Sequence, residues 1–207
     1  MISVKQNQEQ KKLLEQATSH YQQAINLAEG YLTNRGLSLQ DAEHFRLGVV
    51  HQPLVGHEAY EGRLAIPYIT PAGVVDLRFR AINHEEPKYL SLPGSETRLY
   101  NVNALFKATD WIAVCEGEID TITLTKLGIP AVGVPGVKNI KSHHYRILAD
   151  FQRIYVFADG DPAGKEFTKE LARKVSGVTP IAIPEGEDVN SLFTKQGSDW
   201  FQGKVAA

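Results

Sequence analysis

The sequence contains a single cysteine, Cys115, in 207 residues. That excludes a disulfide framework and any self-contained zinc module of the CxxC…CxxC kind, and it suits a reducing compartment. No apolar run approaches the ~18 residues of a membrane span. The N-terminal stretch MISVKQNQEQKK also lacks the apolar core of a signal peptide. The expectation is therefore cytoplasmic, with no membrane partner. A strong charge of one sign is missing too, since 22 Lys and Arg stand against 24 Asp and Glu. A phosphate-bearing partner would have to be recognised by a local patch. Internal repeats and low-complexity tracts are absent. What the chain does have is 43% hydrophobic residues, enough for one large domain or two small ones.

From about Asp110 onward, short apolar runs alternate with helical patterns. WIAVC leads to a helix that Gly128 closes, and PAVGV leads through a loop at Gly136 to a helix around His144–Phe151. RIYVFA is followed by a helix from Pro162 to about Val175, and TPIAI by a last short helix near Val189–Thr194. This alternation predicts a parallel α/β sheet with right-handed crossovers. Residues 195–207 read as a loose tail.

Three of the runs end in acidic loops that carry glycine: CEGEID with Glu116 and Asp120, FADGDPAG with Asp159 and Asp161, and IPEGEDVN with Asp188. In open parallel sheets the functional crevice lies beyond the carboxyl ends of the strands. Carboxylates gathered there repel one another unless some stay protonated or a cation joins them. Hard oxygen donors of this kind suit Mg²⁺ or Mn²⁺. Each acid also has a plainer reading. Asp161 before Pro162 and Asp188 before Val189 are N-cap candidates, and Asp120 complements a helix dipole. Glu118, Glu185 and Glu187 read as solvated loop charges.

The N-terminal half has a different pattern. Leu14, Ala17, Tyr21, Ala24, Ala28 and Leu32 recur at helical spacing over residues 10–33. Ser38 followed by Asp41 caps a short second helix. RLAIPY, a Pro/Gly turn and VVDLRFRA form a hairpin. Strict alternation puts Val75, Leu77, Phe79 and Ala81 on one face and Val74, Asp76, Arg78 and Arg80 on the other. Arg63, Arg78 and Arg80 form a candidate phosphate patch, because a guanidinium offers two parallel donors. The bland alternative is a solvated outer face. The turn-rich loop 83–98 adds Lys88 beside Tyr89, a cation next to a stacking surface.

EGEID, DGDPAG and EGEDVN together resemble the TOPRIM domain of bacterial-type primases, topoisomerases and related nucleases. Before them, YLTNRGLSLQDAEHFRLG, GRLAIPY, LRFRA and PKYLSLPGSETRLYNV resemble, in that order, the DnaG-type primase polymerase core. The resemblance runs from about Tyr21 to Phe193. It implies a TOPRIM parallel-sheet domain at 106–207, preceded by a smaller α+β subdomain at 1–105 (helical pair plus hairpin).

By position, Glu116 resembles the family's catalytic glutamate, and Asp159, Asp161 and Asp188 its metal-binding acids, with Glu116 itself a further ligand or the proton acceptor. Asp120 takes the supporting catalytic position. Arg80, Lys88 and Tyr89 resemble residues lining the nucleotide and template groove. Arg98 stands near the place of a family lysine that is absent. Where the family often has a second late acid, the chain has Asn190. The implied activity is synthesis of short RNA primers on single-stranded DNA from ribonucleoside triphosphates, in a bacterial or phage-infected cell. It would use two or more Mg²⁺ or Mn²⁺ ions and no zinc. The family's zinc-binding template module and helicase-contacting region have no counterpart in the sequence. A separate zinc-binding template-recognition protein and a replicative helicase are therefore implied partners. A TOPRIM nuclease is the alternative, since water in place of the hydroxyl turns transfer into hydrolysis.

Overall fold

The computed structural model describes residues 8–83, 85–134 and 140–205. The Gly136 loop expected from the sequence lies outside them. The chain divides into two compact units, Met1–Glu96 and Thr97–Ala207. The second begins ahead of the expected 105/106 boundary, because Leu99 and Ala104 are core residues of that unit.

In the first unit, helix α1 (Gln8–Gln22) buries Leu14, Ala17, Thr18 and Tyr21, a stripe with helical spacing. The single helix expected over 10–33 is broken. Ala24 and Leu27 make i→i+3 bonds to Tyr21 and Ala24, a 3₁₀ turn follows at Ile25–Ala28, and α2 then runs from Glu29 to Asn34. Periodicity cannot separate one helix from two that present the same stripe. Helix α3 (Leu39–His44) starts at Ser38 with the expected capping box, completed by Asp41.

Four antiparallel strands follow: β1 (Gly48–Val49), β2 (Leu64–Thr70), β3 (Gly73–Arg80) and β4 (Tyr89–Ser91), in that spatial order. Strand β4 lies in the stretch expected to be loop. The hairpin forms as expected but contains a bulge. Tyr68 pairs with Asp76 and Ile69 with Val74, which leaves Val75 as the extra residue. Alternation therefore slips by one, and Val74, assigned to the outer face from the sequence, is buried beside Leu77 and Phe79.

The second unit is a parallel sheet in the order β6-β5-β7-β8, built from β5 (Trp111–Cys115), β6 (Ala131–Gly133), β7 (Arg153–Phe157) and β8 (Val178–Pro180). Helices α4 (Glu118–Lys126), α5 (Ser142–Leu148), α6 (Pro162–Lys174) and α7 (Val189–Gln196) alternate with the strands. Ile112, Val114, Ile154 and Val156 pack with Leu148 of α5 and with Phe167 and Leu171 of α6. Ala113, Cys115, Tyr155 and Phe157 pack on the opposite face with Leu124 of α4 and Leu192 of α7. Both faces of β5, β6 and β7 are covered, which is why they read as apolar runs. Strand β8, by contrast, is an edge strand whose Thr179 and Pro180 are exposed. It starts ahead of the expected TPIAI run and ends at Pro180.

The expected loose tail is structured in part. Ser198–Phe201 forms a 3₁₀ turn, and Phe201 joins the second cluster, its ring stacked 6.3 Å from that of Phe157. Trp200 beside it is partly buried against the same cluster. Among the described residues no helix is long and apolar enough to cross a membrane.

Candidate active site

Parallel strands β5 and β7 are neighbours in register, Cys115 opposite Phe157, so the loops that follow them leave the same rim of the sheet. Glu116 comes directly after β5, and its Oε1 accepts the Asp159 main-chain N–H at 3.0 Å. Asp159 and Asp161 flank Gly160 after β7. Asp161 is the N-cap of α6, its Oδ1 accepting the Gly164 N–H at 2.7 Å. The DGD loop is joined to the third acidic loop by main-chain bonds, Gly160 N–H to Glu187 C=O at 2.8 Å and Gly186 N–H to Gly160 C=O at 3.0 Å. Only glycine fits here, since a Cβ on Gly160 would stand 1.9 Å from the Pro184 carbonyl oxygen. Gly164 is similarly restricted, its Cβ position lying 2.2 Å from the Asp159 carbonyl oxygen and 2.9 Å from Glu116 Oε1.

Asp120 sits in the first turn of α4, where its Oδ1 accepts the Asn190 N–H at 3.0 Å. Asp188 caps α7 and accepts the Ser191 N–H at 2.6 Å.

These acids feel one another. Burial raises the Glu116 carboxyl above the ordinary glutamate range; the Asp159 amide bond opposes this, while Asp161 and Asp120 push it further up. The buried Cys115 thiol is raised well above its usual value by burial, and then by Asp120, Asp159 and Glu116. A shared negative field built only from carboxylate oxygens has the donor chemistry of a hard divalent cation. Convergence is another matter. Among the described residues no three His, Cys, Asp or Glu side chains are grouped closely enough to hold an ion. The gathering of all four acids expected from the sequence is therefore not formed in this arrangement, and Asp161 and Asp188 each use one of their two oxygens as a helix cap.

The basic residues of the first unit lie around β3 and β4. Arg80 pairs with Tyr89 across the two strands, donates to the Tyr89 hydroxyl and lies over its ring at 5.0 Å. Arg78 covers the same ring at 4.3 Å, and Lys88 stands 6.0 Å from it. Stacked this way, a guanidinium uses its face on the ring, and Arg80 also turns an N–H to the Tyr89 hydroxyl. Arg63 departs from the surface-patch expectation. It is 5% exposed and donates to the Pro87 carbonyl at 2.8 Å, so it supports the loop that carries Lys88. Arg80 is equally buried. Arg98 belongs to the second unit and is partly buried.

Several features escaped the sequence reading. Tyr31 of α2 lies between Arg35 at 5.7 Å and Arg80 at 5.8 Å, extending the row of rings and guanidiniums. The i,i+4 spacing of Tyr31 and Arg35 was the available signal. Glu118, read as a solvated charge, is fully buried in the first turn of α4. Glu187 is no free loop charge either. It accepts from the Ser191 hydroxyl at 2.6 Å and pairs with Lys195.

Residues 113–193 match the family model described as Toprim-like. This is the class that the two-faced parallel sheet and its acidic rim define. A relative from Mycobacterium phage D29, Gene 57 protein, is 43% identical over 145 residues, which is 68% of this chain and 95% of that protein. A solved DNA primase domain from Pseudomonas aeruginosa is 26% identical with a TM-score of 0.79, covering 94% of this chain and 77% of that one. A DnaG primase catalytic domain bound to single-stranded DNA has the same fold, with 23% identity and a TM-score of 0.78 over 96% of this chain and 79% of that one. The chain belongs to the family of DnaG-type primase catalytic cores that contain a TOPRIM domain. It spans 29% of the curated DNA primase of Buchnera aphidicola and 37% of that of Pseudomonas aeruginosa.

Proposed function

We propose that this chain is a primase catalytic core, joining ribonucleotides on a single-stranded DNA template during replication. The observation that carries the reading is the pairing, in one chain, of an acidic rim on a Toprim sheet with an arginine–tyrosine face on a separate antiparallel sheet. Glu116, Asp159, Asp161 and Asp188 would hold divalent Mg²⁺ or Mn²⁺, the two capping acids through the oxygen that the cap does not use. Bound ions would supply Lewis-acid activation of a hydroxyl and neutralise charge on the departing pyrophosphate.

The rest falls to the chain's own groups. Glu116 would serve as an ion ligand or as the proton acceptor, and its tie to the Asp159 amide sets its direction. Asp120 adds to the field that keeps Glu116 basic. Arg78 and Lys88 would hold phosphates of the template or of the incoming triphosphate, while Arg80, as buried as Arg63, would hold the Tyr89 ring in place to stack on a base. Arg98 is a further phosphate donor in this scheme. Arg63 acts indirectly, through the Pro87–Lys88 segment. A separate zinc-binding protein would select the initiation site, and a replicative helicase would deliver the template.

The relatives of named activity are primases, so the hydrolytic alternative is not favoured. The deciding experiment mixes the purified chain with single-stranded DNA and labelled ribonucleotides, with and without Mg²⁺. Dinucleotide formation only when the ion is present supports the reading. Strand cleavage without incorporation would replace it with the nuclease.

A further inference from the structure

Asn190 is among the few buried polar residues of the second unit, 1% exposed in the first turn of α7. Its side-chain Nδ2 donates to Thr123 Oγ1 at 3.0 Å. The Thr123 hydroxyl donates its one proton to the Ile119 carbonyl at 2.8 Å, so toward Asn190 it can only accept. That fixes which end of the amide faces α4. The main-chain N–H of the same residue donates to Asp120 Oδ1 at 3.0 Å. Asp120 and Thr123 lie one turn apart on α4, on adjoining positions of one helix face. A single residue of α7 therefore grips α4 twice, once through its side chain and once through its backbone.

The two grips differ in kind. Main-chain N–H groups in the first turn of a helix have no intrahelical acceptor, so the Asn190 amide is available to a carboxylate wherever α7 is docked. Val189 and Leu192 bury α7 in the same core as Leu124 of α4. Within that apolar contact the buried side-chain bond sets the register, since a buried amide is penalised when it loses its partner. The direction of the Asp120 carboxylate thus follows from a contact that Asp120 does not itself make.

We propose that Asn190 is a positioning residue: its bond to Thr123 locks α7 on α4, so that its own N–H aims the Asp120 carboxylate at the rim beside Glu116. Asn190 thereby contributes to ion binding without touching the ion. That functional half rests on the reading of the rim as ion-holding; the clamp itself does not.

The test uses the full chain and three near-isosteric or truncating variants: Thr123→Val, which removes the acceptor, Thr123→Ser, which keeps it, and Asn190→Ala. In ion-free protein, hydrogen exchange of the residue-190 amide should accelerate in Thr123→Val and Asn190→Ala and stay protected in Thr123→Ser. Calorimetry with Mn²⁺ alone should show affinity about tenfold weaker in the first two, the scale of outer-shell losses. Combining them should add little to either single change. Unchanged amide exchange in Thr123→Val would overturn the clamp. Faster exchange with Mn²⁺ affinity untouched would overturn the positioning role and leave a packing contact. If the wild-type chain binds no Mn²⁺ and Asp159→Asn alters nothing, the reading of the rim fails, while amide exchange still decides the clamp.

Discussion

The two units hold their charged residues by opposite means. On the rim of the parallel sheet, carboxylates are held by backbone: Glu116 by the Asp159 N–H, Asp120 by the Asn190 N–H, Asp161 and Asp188 by the first turns of their own helices. In the antiparallel unit several cations lie over rings, Arg78 and Arg80 over Tyr89 and Arg35 and Arg80 over Tyr31. Backbone bonds at strand ends position a group narrowly, as chemistry at a single phosphorus requires. Stacking tolerates sliding, as a strand of changing sequence requires. The acids gain direction at the cost of burial and, to a smaller degree, of mutual repulsion, both of which raise the carboxyl of Glu116.

The comparison can be broken at several places. The largest effect is expected at Asp159. Its side chain is not what bonds Glu116, so Asp159→Asn should abolish dinucleotide synthesis while the thermal melt stays close to wild type. Synthesis by a folded mutant would remove Asp159 from the ion-holding set. Next comes Phe201→Ala, outside both charged regions but buried against Phe157. It should cost about 3–5 kcal/mol of stability in chemical denaturation, whereas a merely loose tail would show almost nothing.

Arg78→Ala should weaken single-stranded DNA binding about tenfold and flatten the salt dependence by about 0.7 in logarithmic slope. An unchanged slope would mean that Arg78 meets no phosphate.

The smallest effect is at Glu116, and its sign is informative. A carboxyl raised on folding favours the folded state fully below its unfolded value, and this contribution is lost as pH rises through the folded value. At neutral pH the ionised group therefore burdens the fold. Glu116→Gln, which keeps an acceptor for the Asp159 N–H, should raise the Tm slightly at pH 7–8, and the gain should vanish on acidification. A Tm that falls at neutral pH would contradict the picture of crowded charge.

Much of this was legible in the chain because it is written in local chemistry. A run buried on both faces has to be apolar throughout, so β5, β6 and β7 could be located, whereas the exposed edge strand β8 lies only partly within the run expected for it. A carboxylate at a strand end has no packing reason to be there, so Glu116, Asp159 and Asp161 stood out. The Ser38–Asp41 capping box is local too, and it forms as expected. The misreadings arose where a distant partner decides. Val75 bulges because of how β2 pairs with β3, a register that β3 alone does not contain. Arg63 and Glu118 have charges that predict exposure, and only the packing around them shows that they are buried. Phe201 follows Trp200 in a stretch with no strand or long helical pattern, and the aromatic that receives it lies far back in β7.

Sequence by itself determined the alternation of strands and helices, the acidic loops and their order, because each depends on residues within a turn or two. Tertiary structure alone decided which oxygen meets which N–H: that Glu116 answers to Asp159, Asp120 to Asn190, and Asn190 to Thr123. Those pairs span tens of residues. A hydrogen bond depends on distances of a few tenths of an ångström, which only the docking of whole helices on the sheet can set.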